Sequence, residues 1–207
     1  MQITKRDYIF AAIVAEIDAI VLMMIAPRFA LKLSAYPLLG QIISWIWLLA
    51  PILAVVGIKL ASIIAQKISS IWQFAKFLLV GSSNVMIDMG TIELLQRFFG
   101  GMVVKQFYPI MVTVSFLVSS TNSFLWNKFW SFEKKDTQDK VGEAVKFYTV
   151  TIVGYLLKVG ISSFIAKGVA PIAGLTHEAW NVSADFLASI IVFMWNFLGY
   201  KFLVFKK

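Results

Sequence analysis

The chain has no cysteine and a single histidine, His177, among its 207 residues. That rules out disulfides and thiolate metal sites, and one imidazole cannot build a metal centre alone. Charge is scarce as well: Asp, Glu, Lys and Arg make up 14% of the chain, where a soluble domain carries about 25%. No Gly-x4-Gly-Lys-Ser/Thr loop, His-Glu-x-x-His pair or Gly-x-Ser-x-Gly elbow occurs, so neither ATP drive nor hydrolytic machinery is visible. The longest strongly polar stretch, Glu133 to Glu143, is too short for a soluble catalytic domain. These absences predict a protein with no cofactor and no enzymatic activity of its own.

What remains is apolar. Hydrophobic residues make up 59% of the chain, and the mean hydropathy is +0.81. The apolar runs are long enough to cross a bilayer. The reading is an all-α integral membrane protein with six transmembrane helices. The spans run about Tyr8 to Ala26, Leu38 to Ala65, Phe74 to Phe99, Phe107 to Phe132, Phe147 to Lys167 and Val182 to Phe205. The second is long enough to tilt and is expected to kink at Pro51. Lys5 and Arg6 precede the first run as they would in a signal peptide. However, the run holds Glu16 and Asp18 and ends at Pro27-Arg28 without a small-x-small site, so it reads as a retained helix.

The formal charge is +8. The basic residues cluster at the ends of the apolar runs rather than on one polar face, so they mark topology and not a nucleic-acid partner. With the amino terminus inside, the inner segments hold ten lysines and arginines, from Lys5 to Lys207. The outer segments hold five: Arg28, Lys32, Arg97, Lys105 and Lys167. The expectation is a multi-pass cell-membrane protein with both termini cytoplasmic, in contact with membrane lipids. Trp72, Trp126, Trp130 and Trp180 read as interfacial belt residues.

The chain also repeats itself. Lys76-Phe77-Leu78-Leu79-Val80 returns as Lys146-Phe147-Tyr148-Thr149-Val150, and at the same offset Asp88 falls on Lys158 and Gly90 on Gly160. The ends match too, Asn127-Lys128-Phe129 to Phe132 paralleling Tyr200-Lys201-Phe202 to Phe205. Two spans per copy give both copies the same orientation. The last four helices therefore read as two parallel two-helix repeats, residues 72–135 and 144–207, and residues 1–71 as an amino-terminal extension with two spans. Asp88 and Lys158 each stand 12 residues past their basic starts, about 18 Å at 1.5 Å per residue. Equal depth and opposite charge suggest an ion pair between the copies, serving either packing or function.

Phe74-Ala75-Lys76-Phe77-Leu78-Leu79-Val80-Gly81-Ser82-Ser83-Asn84 followed by Asp88 resembles the opening of the GtrA-like family of small membrane proteins. The Asn127-Lys128-x-Trp130-x-Phe132 close is similar to that family's Asn-basic-x-aromatic-x-Phe element. The resemblance covers about Trp72 to Lys207. It implies a four-helix core tied to cell-surface polysaccharide synthesis, which moves polyprenyl-phosphate-linked monosaccharides across the membrane or assists the glycosyltransferases that make and use them.

The residues add candidate sites. Asn84 and Asp88 share one helix face, and Lys158 would be the deep cation for a lipid phosphate. Asn122 and Asn127 carry amides able to bond sugar hydroxyls. Lys128 and Lys201 close the two copies and could gather a phosphate headgroup or anchor anionic lipid. Ser115, Ser119 and Ser123 recur every four residues and read first as small packing residues. Glu16 and Asp18 lie on nearly opposite faces, one toward the core and one toward a polar cavity or another subunit. His177, Glu178 and Asp185 read as solvated outer residues, and the Asn181-Val182-Ser183 sequon carries little weight against a span. The leading function is a flippase or flippase subunit. A scaffold for a membrane glycosyltransferase and a small proton-coupled exporter using Asp88 are the alternatives, with homo-oligomerisation left open.

Overall fold

A computed structural model describes residues 4–29, 37–134, 139–171 and 177–206, with the side chains of 28, 29, 100–106, 178, 179 and 182 left aside. Lys32, Lys135 and Lys207 lie outside the described residues, as do the side chains of Arg28, Lys105 and Glu178. All regular structure among the described residues is helical: α1 (Lys5–Ile25), α2 (Pro37–Ser44), α3 (Ile46–Ile64), α4 (Ser70–Trp126), α5 (Lys140–Gly168) and α6 (His177–Gly199). Six stretches are long and apolar enough to cross a membrane, two of them within α4 and its continuation, Ser70–Phe99 and Phe107–Ser131. The six-span reading therefore stands.

Helix α4 is assigned without a break, yet its ends meet. Lys76 Nζ donates to the Trp130 carbonyl at 3.3 Å. On a straight helix those residues would lie about 80 Å apart. The two spans are therefore antiparallel. Lys76 with Trp130 and Asp88 with Ser119 fix the register, in which paired numbers sum to 206 or 207. The second span departs from expectation: it breaks at Trp45, between α2 and α3, and Pro51 lies inside α3. Its 19-residue membrane helix is about 28 Å long, close to the hydrocarbon thickness, and needs no tilt.

The chain forms two compact units, Met1–Glu133 and Lys134–Lys207. In the first, α1 and α3 pack on the first span of α4 around Ala11, Val14, Ala54, Ile58, Trp72 and Trp130. Small residues let the helices approach: a Cβ on Gly90 would lie 2.8 Å from Val21. In the second, α5 and α6 run antiparallel. The outward faces of both units are apolar, with Leu53, Phe98, Phe164 and Phe186 more than half exposed, as lipid contact requires.

The two helices of the second unit come close at Gly199, where a Cβ would stand 2.5 Å from Val150 Cγ1. Val150 is β-branched and stiff at χ1, so the helices must separate to admit it. Gly199→Ala should cost about 1–3 kcal/mol, read as a lower unfolding temperature in detergent. Adding Val150→Ala should restore most of it; a double variant no better than the single would disprove the contact.

Both units end on the same local geometry. A five-residue π-helical turn, Asn127–Ser131 in one and Tyr200–Val204 in the other, closes with a backbone bond, Phe132 N to Asn127 O at 2.9 Å and Phe205 N to Tyr200 O at 2.8 Å. Each turn holds a lysine over two phenylalanines: Lys128 over Phe124 and Phe129, Lys201 over Phe197 and Phe202. The closing ring packs on the phenylalanine that follows the opening lysine, Phe77 with Phe132 at 6.3 Å and Phe147 with Phe205 at 6.5 Å.

Candidate functional site

The most ordered polar cluster is one that sequence reading did not assemble. Lys76 is fully buried. Its ammonium bonds Asp7 Oδ1 at 2.7 Å, Glu133 Oε1 at 2.8 Å and the Trp130 carbonyl. It lies 4.7 Å from the Trp72 ring and 5.9 Å from that of Trp130. All three N–H donors are used, and two aromatic faces add cation–π attraction. Asp7 is equally committed. Its Oδ1 also accepts from Trp130 Nε1 at 3.1 Å, and its Oδ2 accepts from the backbone N–H and hydroxyl of Thr4. Glu133 takes a left-handed backbone at φ 51° to reach the lysine, a conformation a non-glycine residue adopts at a cost of about 1–3 kcal/mol. Trp72 and Trp130, and likewise Trp180 in the second unit, are buried rather than belt-like. Trp180 Nε1 bonds the carbonyls at the end of α5.

One sequence signal did point here. Thr4-x-x-Asp7 ahead of an apolar run is a capping-box pattern, and it fixes Asp7 in the first turn of α1. What the pattern lacks is the partner.

Deeper in the first unit, the expected amides face each other by register. Asp88 receives Ser119 Oγ at 3.5 Å, the outer limit of a hydrogen bond. One turn toward the Lys76 end, Asn84 reaches the level of Asn122 and Ser123. Asn84 Oδ1 and Asn122 Nδ2 are buried and have no hydrogen-bond partner. Asn127 Nδ2 bonds Ser123 Oγ at 3.2 Å, and its Oδ1 is also without a partner. Such groups cost about 1–3 kcal/mol each when left unsatisfied. Of the serine stripe, Ser115 bonds its own helix, Ser119 does so besides its contact to Asp88, and Ser123 accepts from Asn127. Lys128 is buried with Asn127 in the π turn, whereas Lys201 is half-buried in its own.

On α1, Asp18 lines an apolar cleft of about 670 Å³ between α1, α3 and the first span of α4, and Ser82 Oγ donates to it at 3.0 Å. Asp18 is thus the residue of the Glu16/Asp18 pair that faces a cavity.

Lys158 belongs to the second unit and takes its partner there: Nζ stands 3.2 Å from Asp185 Oδ2, with the side chains 38% and 53% exposed. The register of α5 on α6, set by Val150 against Gly199 and Thr151 against Tyr200, places the Lys158 backbone level with about Ile191. The ammonium therefore reaches some six residues, about 9 Å, toward the start of α6. Asp185, read from sequence as a solvated outer residue, is its counter-ion.

A family model, GtrA/DPMS, transmembrane domain, matches residues 76–205. The match spans well over half of the chain, and the protein belongs to this family of membrane proteins linked to sugar handling on glycosyl-carrier lipids. No curated protein and no solved structure matches. The match opens at Lys76 and closes at Phe205, so Asp7, which holds Lys76, comes from outside the family region.

Proposed function

We propose that this protein is a translocase, or the membrane subunit of one, for polyprenyl-phosphate-linked monosaccharides used in cell-surface polysaccharide synthesis. The observation that carries the reading is the pair of buried, unpartnered amide atoms on Asn84 and Asn122, set at one depth beside Asp88. A packing core satisfies its polar groups; a path for a hydroxylated headgroup leaves them ready for one. Family membership, with its link to sugar handling on glycosyl-carrier lipids, supports that substrate class. In this reading Asn84, Asp88, Asn122 and Asn127 form a polar wall of the first unit, and Lys158, beside Asp185, is a cation of the second. Lys128 and Lys201 serve the phosphate near the surface. The protein performs no covalent chemistry, and direction comes from a gradient or from use of the product outside. Purified protein in liposomes should move a labelled polyprenyl-phosphate sugar between leaflets faster than protein-free vesicles do; equal rates would sink the proposal.

The orientation belongs to the same reading. With both termini cytoplasmic, a lone cysteine introduced as Lys140→Cys should resist a membrane-impermeant maleimide in intact cells and react after lysis. The cysteine-free background makes that measurement clean. Labelling in intact cells would invert the topology.

A further inference from the structure

Lys76 and Lys146 hold the same place in their units. Each precedes the phenylalanine that packs on the closing ring, Phe77 on Phe132 and Phe147 on Phe205. Their surroundings are opposite. Lys76 is fully buried and holds two carboxylates. Lys146 is exposed and enters no ion pair among the described residues. The cause can be read from the chain. Glu133, which directly follows Phe132, bonds Lys76. The residue that directly follows Phe205 is Lys206, also exposed. A third lysine joins it, since Lys134 Nζ donates to the Lys206 carbonyl at 2.7 Å. Among the described residues no carboxylate pairs with Lys146 as Asp7 pairs with Lys76. Two carboxylates among the described residues share this end. Asp139 accepts from Gly142 N at 2.9 Å and caps α5. Glu143 is buried in the first turn and has an interaction of its own. Lys134, Lys146 and Lys206 therefore leave an excess of positive charge where the first unit is neutralised from within.

We propose that the second unit's end is an open anion site, built from Lys146 and Lys206 with Lys134 beside them, and that its ligand is the phosphate of a polyprenyl-phosphate lipid. Asp7 and Glu133 occupy the equivalent place on Lys76, so the first unit's site is filled by the protein's own carboxylates. An ammonium that satisfies itself with carboxylate in one setting will take phosphate oxygens in the other. The end of an apolar helix pair is where a lipid phosphate resides, with its tail in the bilayer. The identity of the lipid rests on the proposed function; the site itself rests on the contrast between the two lysines.

The test is direct binding by the full chain in detergent, with a polyprenyl phosphate as probe and the unphosphorylated polyprenol and inorganic phosphate as controls. The parent should bind the polyprenyl phosphate and bind the polyprenol far more weakly. Lys206→Glu, which recreates the first unit's arrangement on an exposed position, should lower affinity at least about tenfold, the scale of one charge-assisted hydrogen bond. Lys146→Gln should do the same, and Lys146→Arg should retain binding. Lys67→Gln, an exposed lysine of the first unit, should change nothing. Unaltered affinity in Lys206→Glu and Lys146→Gln would overturn the site. Polyprenol binding as tightly as its phosphate would also overturn it. Inorganic phosphate binding as tightly as the lipid, with the same lysine dependence, would overturn the lipid assignment. Because binding is read without transport, absent transport with intact lysine-dependent binding overturns the translocase reading alone, and the reverse result overturns this site alone.

Discussion

Asp7→Ala should lower the stability of the first unit by about 3–5 kcal/mol, the usual cost of removing one member of a buried ion pair. The change leaves the Lys76 ammonium wholly inside the protein with a half-exposed Glu133 as its remaining carboxylate. It also leaves Trp130 Nε1 and the Thr4 hydroxyl without an acceptor. The cation–π contacts to Trp72 and Trp130 are already made in the parent, so they add nothing that offsets the loss. Unfolding in detergent, followed by tryptophan emission, should shift to clearly lower temperature, since two of the reporting indoles line the cluster. The paired apolar replacement Asp7→Leu with Lys76→Met should recover most of the loss, because it removes both charges together. If Asp7→Ala unfolds with the parent, the cluster is not what binds α1 to the family core. The result bears on more than stability. The family match begins at Lys76, so a carboxylate of the extension, placed by one capping turn, satisfies a buried lysine of the family core. Shortened versions that lack α1 should expose Lys76 as Lys146 is exposed now.

Most of the architecture was readable because the bilayer forces it to be. A span must be long, apolar and helical, and hydropathy reports all three. The antiparallel pairing of Ser70–Phe99 with Phe107–Ser131 follows from so short a separation. What the sequence could not show were the partners. Asp7 and Lys76 are 69 positions apart, and no periodicity links them; only the packing of α1 along α4 does. The tryptophans misled because belt residues and buried anchors share the same place near a span's end, and the difference is which way the indole points. Lys158 misled for a related reason. Counting residues gives the depth of its backbone, whereas a four-carbon stem carries the charge about two helical turns away, to Asp185. The second span reads in sequence as one helix with a kink at Pro51; it is interrupted at Trp45, and Pro51 lies inside α3. By contrast, the four-residue spacing of Asn84 and Asp88 placed both on one helix face, and the register sets Asn84 level with Asn122 and Asp88, one turn away, level with Ser119.

Asp88→Leu combined with Lys158→Met should leave the protein folded and reduce lipid-linked sugar movement at least about tenfold, the effect of losing one charge-assisted contact to the substrate. The structure explains why folding should survive. Asp88 is held by a single hydroxyl at the limit of bonding distance, and the Lys158–Asp185 bridge is exposed on both sides, a setting where such pairs are worth about 0–1 kcal/mol. Neither residue resembles Lys76, whose removal would leave two carboxylates stranded. Stability and transport should therefore separate: unfolding temperature near that of the parent, movement of a labelled polyprenyl-phosphate sugar in liposomes greatly reduced. Asn84→Leu should weaken transport too, by roughly the worth of one hydrogen bond to a sugar hydroxyl, while stabilising the fold slightly, since it removes a buried oxygen that has no partner. That opposition of signs is the sharpest mark of a functional polar group, because a packing residue would lose both together. A scaffold that only recruits a glycosyltransferase predicts the contrary, with the double variant supporting normal surface glycosylation in cells that lack the parent protein. Full activity from a well-expressed Asp88→Leu, Lys158→Met variant would remove the translocation path from this polar wall and assign the protein to the scaffold class.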